Sequence, residues 1–464
     1  MRDTQLKSLV MSALSFDPDV SRLHTVRNAS DTQHRRLLRW LDQSGLALYF
    51  LDRLQQLNAA DQLPNTLRHG LETRLAANRE RSADMFDEFR RVANSFTDAG
   101  VTFCAIKGLS LVPEFCPAQH LRHQTDFDFL VSPNSLTHAT RALESQGYVQ
   151  QEIKPSGEVT FSTPQTHIPS AADNIYARPR QREIDVLPSL RLDFHGASIS
   201  TRMDQLARVR SKRIENLTFP VPAADDIFAL QVLHAFSHFL GSWVRLSWLL
   251  EIAHFLDVHH QDHLLWHSVV ERQQDVAQVS RISFNREAFG LVLSLTQEIF
   301  PSSRPLPSAL RDWCIQPLPI PIRAWIRDFG RRFAHADLNG SKLSLFVYRE
   351  FVATEIRAGR RACNRYLFRR IFPVSNCSSV GKVSIASSRA KIRANVYQTL
   401  HSMRRAFFHL CELVSFPVEA IRWKRALRSF QRQRTRTLSQ SDSVRVNSGT
   451  PSGKALGNLA RFPD

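Results

Sequence analysis

Residues 126–131 read Asp-Phe-Asp-Phe-Leu-Val, and that alternation leaves few ways for the segment to fold. Side chains at i and i+2 of a β-strand share a face. A strand here therefore puts Asp126 and Asp128 on one side and sends Phe127 and Phe129 into a core on the other. The surrounding residues supply the rest of a mixed unit. VTFCAI (101–106) is short and β-rich and runs into Lys107-Gly108, the pattern of a strand entering a tight turn. SLTHATRALESQG (135–147) reads as a helix closed by glycine. Further strand candidates are GEVTFS (157–162) and IDVLPSLRLDFH (184–195), the second interrupted by Pro188. Strand and helix alternating in this way predict an α+β unit built on a small mixed β-sheet.

On both sides the period changes to that of helices. LLRWLDQSGLALYFLDRL and MFDEFRRVANSFTDAG carry apolar residues at three- and four-residue spacing before Gly100. The same spacing returns in DDIFALQVLHAFSHFL, in WVRLSWLLEIAHFLDV and near 285–300, with proline-rich turns at 301–307 and 317–321. The expected organisation is an N-terminal helical region (1–95), the sheet-bearing core (96–220), a helical bundle (221–350), a basic helical region (351–432) and a tail (433–464). That tail's polar, Ser/Gly-rich composition predicts disorder.

Charge narrows the partners. The chain has 61 Lys+Arg against 43 Asp+Glu, a formal charge of +18, which favours nucleotides, nucleic acid or an anionic membrane surface. Residues 353–437 hold nineteen Lys/Arg and three Glu with aromatics interleaved, as in YLFRRIF and RRAFFHL, so this stretch is expected to face a polyanion. It lacks the glycine-flanked aromatic signatures of sequence-specific RNA binders, and peripheral membrane contact is the favoured expectation over RNA or an acidic partner. No uninterrupted apolar run reaches the roughly 18–20 residues a spanning helix needs. The apolar stretch at the start is too short for a secretory signal, and the six cysteines lack the close pairs of zinc knuckles. Reduced thiols in the cytoplasm are the expectation that follows.

The chemistry concentrates around 107–193. Two carboxylates on one strand face, completed by a third from a neighbouring strand, form a cage for divalent cations about 3.5–4 Å apart. Asp185 in REIDVLP is the rival third member, but Pro188 interrupts the strand behind it, and Asp193 in LRLDFHG, with the better surrounding pattern, is preferred. A glycine turn leading into a helix presents backbone N–H groups to phosphate. Lys107-Gly108-Leu109-Ser110 suits that role and adds an ammonium and a hydroxyl. Each piece alone is common in loops; strand, KGxS turn, Asp-x-Asp strand and later acidic strand in this order are what carry the argument.

Other residues have plainer readings. His195 would contact phosphate or bond the sheet edge. His234 and His238, four apart on a helix with apolar neighbours and no glutamate at 235, read as satisfied core histidines. His254, His259, His260, His263 and His267 lack an ordered spacing and read as a solvated helix or turn. Trp248 reads as packing against the sheet.

Residues 101–131 resemble the nucleotidyltransferase superfold of the polymerase-beta type: a hydrophobic strand, a Gly-Ser or Gly-x-Ser turn, then Asp-x-Asp. More narrowly, about residues 40–300 resemble an uncharacterised bacterial nucleotidyltransferase family found beside polysaccharide and peptide-modification genes. The matching positions are Lys107-Gly108, Arg122, Asp126 to Val131, Gly147-Tyr148, Asp193-Phe194-His195 and Arg245 to Ala253, with Glu251 where that family usually has Asp.

The resemblance implies a metal-dependent enzyme. It would move a nucleoside monophosphate from a nucleoside triphosphate to a hydroxyl of a sugar, small metabolite or protein, with release of pyrophosphate. Asp126, Asp128 and Asp193 would hold Mg2+ or Mn2+. Lys107, Gly108, Ser110, Arg122 and Arg245 would contact the nucleotide. Two alternatives stand beside it: a binding protein that keeps the fold without turnover, suggested by Gly108-Leu109-Ser110 in place of Gly-Ser, and a scaffold that binds polyanions through the basic region.

Overall fold

The computed structural model describes residues 2–154, 157–163, 175–176, 183–194, 197–200, 204–240, 244–279, 285–336, 343–347 and 413–432, and six single positions between 396 and 411. Four helices open the chain: α1 (Asp3–Leu14), α2 (Asp31–Ser44), α3 (Ala47–Gln56) and the long α4 (Asn65–Asp98). The periodic stretch around 37–54 is thus two helices. Ser30 starts α2 with a capping box, accepting from Gln33 N–H while the Gln33 side chain returns to the Ser30 N–H. Gly45 ends it at φ +74, a left-handed turn that only glycine adopts without cost. A Cβ there would stand 2.5 Å from Ser247 Oγ, so this corner seats the segment that follows Arg245.

The sheet comes next. Its strands are β1 (Phe103–Ala105), β2 (Asp126–Val131), β3 (Val149–Ile153), β4 (Val159–Ser162) and β5 (Glu183–Leu187), with α5 (Leu136–Ser145) between β2 and β3. They lie in the order β1-β2-β5-β4-β3, all neighbours antiparallel except β2 and β5. Phe127, Phe129 and Val131 are buried on one face. There Phe129 meets Phe89 at 5.4 Å and Phe96 at 5.2 Å, both from α4, and Phe103 at 5.8 Å. Aromatic burial of this kind is the main anchor of sheet to helix; truncating Phe129 would cost about 3–5 kcal/mol. The opposite face of β2 carries Asp126, Asp128 and then Leu130, which packs with Cys104, Ile106, Leu190 and Leu230.

Residues 184–195 form two strands in different sheets. Pro188 follows the end of β5, and β6 (Arg191–Phe194) pairs antiparallel with β7 (Ala197–Ser200) as a separate hairpin. A second hairpin, β8 (Val209–Ile214) with β9 (Leu217–Pro222), leads into the bundle of α6 (Ala224–Leu240), α7 (Leu246–Val258), α8 (His263–Val279) and α9 (Asn285–Ile299). A short turn, α10 (Ser308–Leu310), precedes α11 (Ile320–Ala334), and a further helix, α12, covers 413–432. The molecule is α+β, with a small mixed sheet between helical parts, and one apolar core runs from Leu6 through the sheet to Trp423. The tail at 433–464 and most of 351–412 lie outside the described residues.

The two ends of this core meet at His335. Lys7 Nζ donates to its carbonyl at 2.7 Å, and His335 Nε2 lies 3.2 Å from Ser8 Oγ. Burial, helped by Lys7 and Arg331, lowers the imidazole to about 4. In the unfolded chain it titrates near its ordinary value of about 6.5. Between those values the unfolded state binds the extra proton, so stability falls as pH drops through that window. The thermal midpoint should therefore decline from neutral pH towards pH about 4, and His335→Gln should flatten part of that decline. An identical decline in the variant would mean that His335 contributes nothing to it.

Candidate active site

Parallel pairing of β2 and β5 sets Asp128 directly beside Asp185. Asp126, two residues earlier on the same face, completes a group whose ligating oxygens all lie within 4.8 Å of one another. Asp128 is buried while Asp126 and Asp185 are half-buried, so the cluster has a closed floor and an open rim. Lys107 Nζ donates to Asp128 Oδ1 at 2.6 Å, and Thr160 Oγ donates to Asp185 Oδ1 at 2.6 Å from β4. Burial is the larger cause that lifts the Asp128 carboxyl to about 6, with Asp126 and Asp185 adding repulsion against the pull of Lys107. Burial also raises Asp185, against the Thr160 hydrogen bond. Burial works to discharge Lys107, but Asp128, Asp126 and Asp185 outweigh it and hold the ammonium charged. Lys107 is the cation paired with these carboxylates among the described residues, while Lys154, Arg122 and Arg245 act on them from farther off.

The turn beside them is built from three directions. Gly108 has φ +65, and a Cβ there would overlap Gln124 Nε2 at 2.1 Å. Gln124 in turn donates to the Asp126 carbonyl at 2.8 Å. Lys212 of β8 reaches across to the Ser110 carbonyl at 2.6 Å and to Glu114 at 2.9 Å. The strand entry is held from α4, where buried Asn78 donates to the His120 carbonyl at 2.8 Å and buried Arg81 to the Gln124 carbonyl. Gly108→Ala should cost about 1–3 kcal/mol in strain and push Gln124 off Asp126. Its denaturation midpoint should drop; an unchanged midpoint would mean that the turn accommodates a Cβ without cost. Ser110 itself is fully buried, its hydroxyl without a hydrogen-bond partner among the described residues.

Across the open rim stand α6 and α7. His234 and His238 are only half-buried, and their rings lie 4.6 Å apart and 4.7 Å each from the Trp248 ring. The Arg245 guanidinium sits 5.9 Å from the same indole. Burial, and then Lys107, His238, Arg122 and Arg245, push the His234 imidazole well below its ordinary range. Lys107, Arg122 and Arg245 are the cations that converge here. Arg122 is anchored by its Nε to Glu251 Oε1 at 3.1 Å, and Tyr49 donates to the same oxygen at 2.9 Å. The reading of His234 and His238 as core histidines gives way to a wall of aromatic and cationic groups beside the acidic cluster.

Asp193 lies in the β6–β7 hairpin, apart from the five-stranded sheet; its side chain, and His195 altogether, lie outside the described residues. Asp225 and Asp226, another adjacent acidic pair, are already neutralised. Arg208 reaches them at 2.7 and 3.0 Å, and Arg272 reaches Asp226 at 2.8 Å and Asp204 at 2.8 Å. Among the described residues only Asp126, Asp128 and Asp185 group as metal ligands would. Cysteine nucleophiles have no place here, because burial pushes Cys104 and Cys116 up to about 12. A cleft of about 440 Å³ lined in part by Tyr49, Asp52, Phe115, His254 and Arg304 contains none of the three aspartates; it meets the site only at Tyr49.

An acidic cluster on the open face of a small mixed sheet, beside a glycine turn and a cationic wall, fits a nucleotidyltransferase. Residues 30–300 match the model of a family described as an uncharacterised nucleotidyltransferase, and the chain belongs to that family. No curated protein matches the chain.

Proposed function

We propose that the chain transfers a nucleoside monophosphate from a nucleoside triphosphate to a hydroxyl acceptor in a reaction that depends on a divalent cation. The observation that carries this reading is the cluster of Asp126, Asp128 and Asp185. Its donors are all carboxylate oxygens, they lie close enough for one ion to gather them, and among the described residues Lys107 is the cation in direct ion-pair contact with them. Such a set fits Mg2+ or Mn2+ rather than a thiophilic metal. When bound there, the ion would supply charge neutralisation at the triphosphate and lower the pKa of an acceptor hydroxyl.

The chain's own groups would do the positioning. Lys107, already charged and half exposed to the rim, would follow the phosphates as it follows Asp128 here. The Gly108 turn would offer backbone N–H groups, and Arg122 and Arg245 would lie along the phosphate tail. In the transfer, the acceptor oxygen forms a bond to the α-phosphorus and the bond from that phosphorus to the β-phosphate oxygen breaks. Pyrophosphate carries away that electron pair, and the hydroxyl proton passes to a carboxylate or to solvent. Preorganised charge would account for most of the acceleration.

Calorimetry of nucleoside triphosphate binding with Mg2+, wild type beside Asp126→Ala/Asp128→Ala, tests this. Binding by wild type that requires the metal and disappears in the double variant is expected. Equal binding by both proteins, or by neither, would remove these carboxylates from the nucleotide site.

A further inference from the structure

We propose that α12 and the helical positions leading into it seat the protein on the surface of an anionic phospholipid bilayer. Thirteen large apolar side chains are exposed among the described residues, and seven of them belong to this one stretch: Val396, Met403, Phe407, Leu410, Val414, Val418 and Ile421. With about 3.6 residues per turn, Val414, Val418 and Ile421 of α12 project within about 60° of one another, and the other four are helical positions ahead of it. Met403, Phe407 and Val414 are 63%, 68% and 74% exposed.

The same helix already has a packed face, and it is the opposite one. Phe346 stacks on Phe416 at 5.2 Å and on Trp423 at 5.8 Å, Trp423 meets Phe329 at 5.9 Å, and Arg327 lies over Phe430 at 4.8 Å. A helix apolar on two opposite faces, with one face docked, has a second surface to bury.

Charge decides what covers it. Beyond Ile421 the exposed face continues as Arg425, Arg428 and Arg432, with Arg422 and Lys424 at its flanks. The only acidic residue of 413–432, Glu419, is turned to Arg332 at 2.7 Å and Arg422 at 2.8 Å. A second copy would bring like charges together along the seam and would have to accommodate Pro417 in it. The adjoining segments of the chain have the same sign, ten Lys/Arg to one Glu over 351–395 and five to two Asp over 433–464. An apolar stripe ending in a cationic patch matches acyl chains below anionic headgroups. No described helix is long and apolar enough to cross a membrane, so the contact lies in the interface.

Flotation of the full chain with vesicles of phosphatidylcholine alone, and of phosphatidylcholine doped with phosphatidylglycerol, tests this. Two variants run beside it: Met403→Ser/Phe407→Ser/Val414→Ser, and Arg425→Gln/Arg428→Gln/Arg432→Gln. The altered side chains are exposed, so both variants should keep the wild-type thermal midpoint. Wild type is expected to float with the anionic vesicles only, and each variant to lose about tenfold or more of that partition. Equal flotation with neutral vesicles, full binding by the apolar variant, or no vesicle binding by wild type would each overturn the proposal. So would a wild-type dimer in light scattering that the apolar variant dissociates. The reading does not depend on the acidic cluster, and nucleotide binding by the same preparations reports on that site separately.

Discussion

Asp128→Asn is expected to reduce nucleotidyl transfer by about a thousandfold while leaving the protein folded. Asp128 forms the buried floor of the cluster, its ligating oxygen within 4.8 Å of those of Asp126 and Asp185. The amide keeps the shape and an oxygen for Lys107 to donate to, but removes the charge that would hold a cation. In chelator the variant should melt within a few degrees of wild type. With Mg2+ added, wild type should gain stability, because a ligand bound only by the folded state adds its binding free energy, and the variant should not. Asp185→Asn should behave in the same way, since β5 sets it beside Asp128. Asp193→Asn in the same assay decides whether the β6–β7 hairpin contributes a further carboxylate. Wild-type turnover by Asp128→Asn would show that the chemistry lies elsewhere.

Glu251→Ala should cost about 3–5 kcal/mol, the range for removing one partner of a buried ion pair. The Glu251 side chain is 2% exposed and receives both Arg122 and Tyr49. Burial raises this carboxyl above its ordinary value against the pull of Arg122. Without the carboxylate, a guanidinium only 15% exposed would be left without its anion. Glu251→Gln should be milder, because a carbonyl oxygen still accepts from both donors. Urea denaturation of the three proteins measures the difference. The alanine variant should also raise the KM for the nucleotide more than it lowers kcat, because Arg122 would be free to leave the rim. A loss below about 1 kcal/mol for the alanine variant would mean the pair is not structural.

Local pattern carried a large part of this protein. Alternation in 126–131 determined that Asp126 and Asp128 share a face with phenylalanines behind them, because strand side chains alternate whatever the strand packs against. Lys107-Gly108 was legible as a turn, and the positive φ of Gly108 is the reason only glycine serves there. The bundle helices α6, α7 and α9 showed their periodicity. By contrast β3, β7, β8, β9 and α8 were not anticipated. Val149–Ile153 is exposed along its length and so lacks the alternation that marks a half-buried strand.

What tertiary structure alone decided is which distant residues meet. Asp185 joins Asp128 because β5 pairs parallel with β2, a choice that no feature within either strand encodes. Pro188 does not count against it, since it follows the strand rather than interrupting it. Asn78 and Arg81 look like ordinary polar positions on a long helix. They are buried because the 120–124 segment crosses that face and needs its carbonyls satisfied. His234 and His238 carry the same spacing whether they lie in a core or at a rim; only the placement of α7 beside them, with Trp248 and Arg245, separates the two. Spacing along the chain determines which side chains share a face, and long-range pairing determines which faces meet.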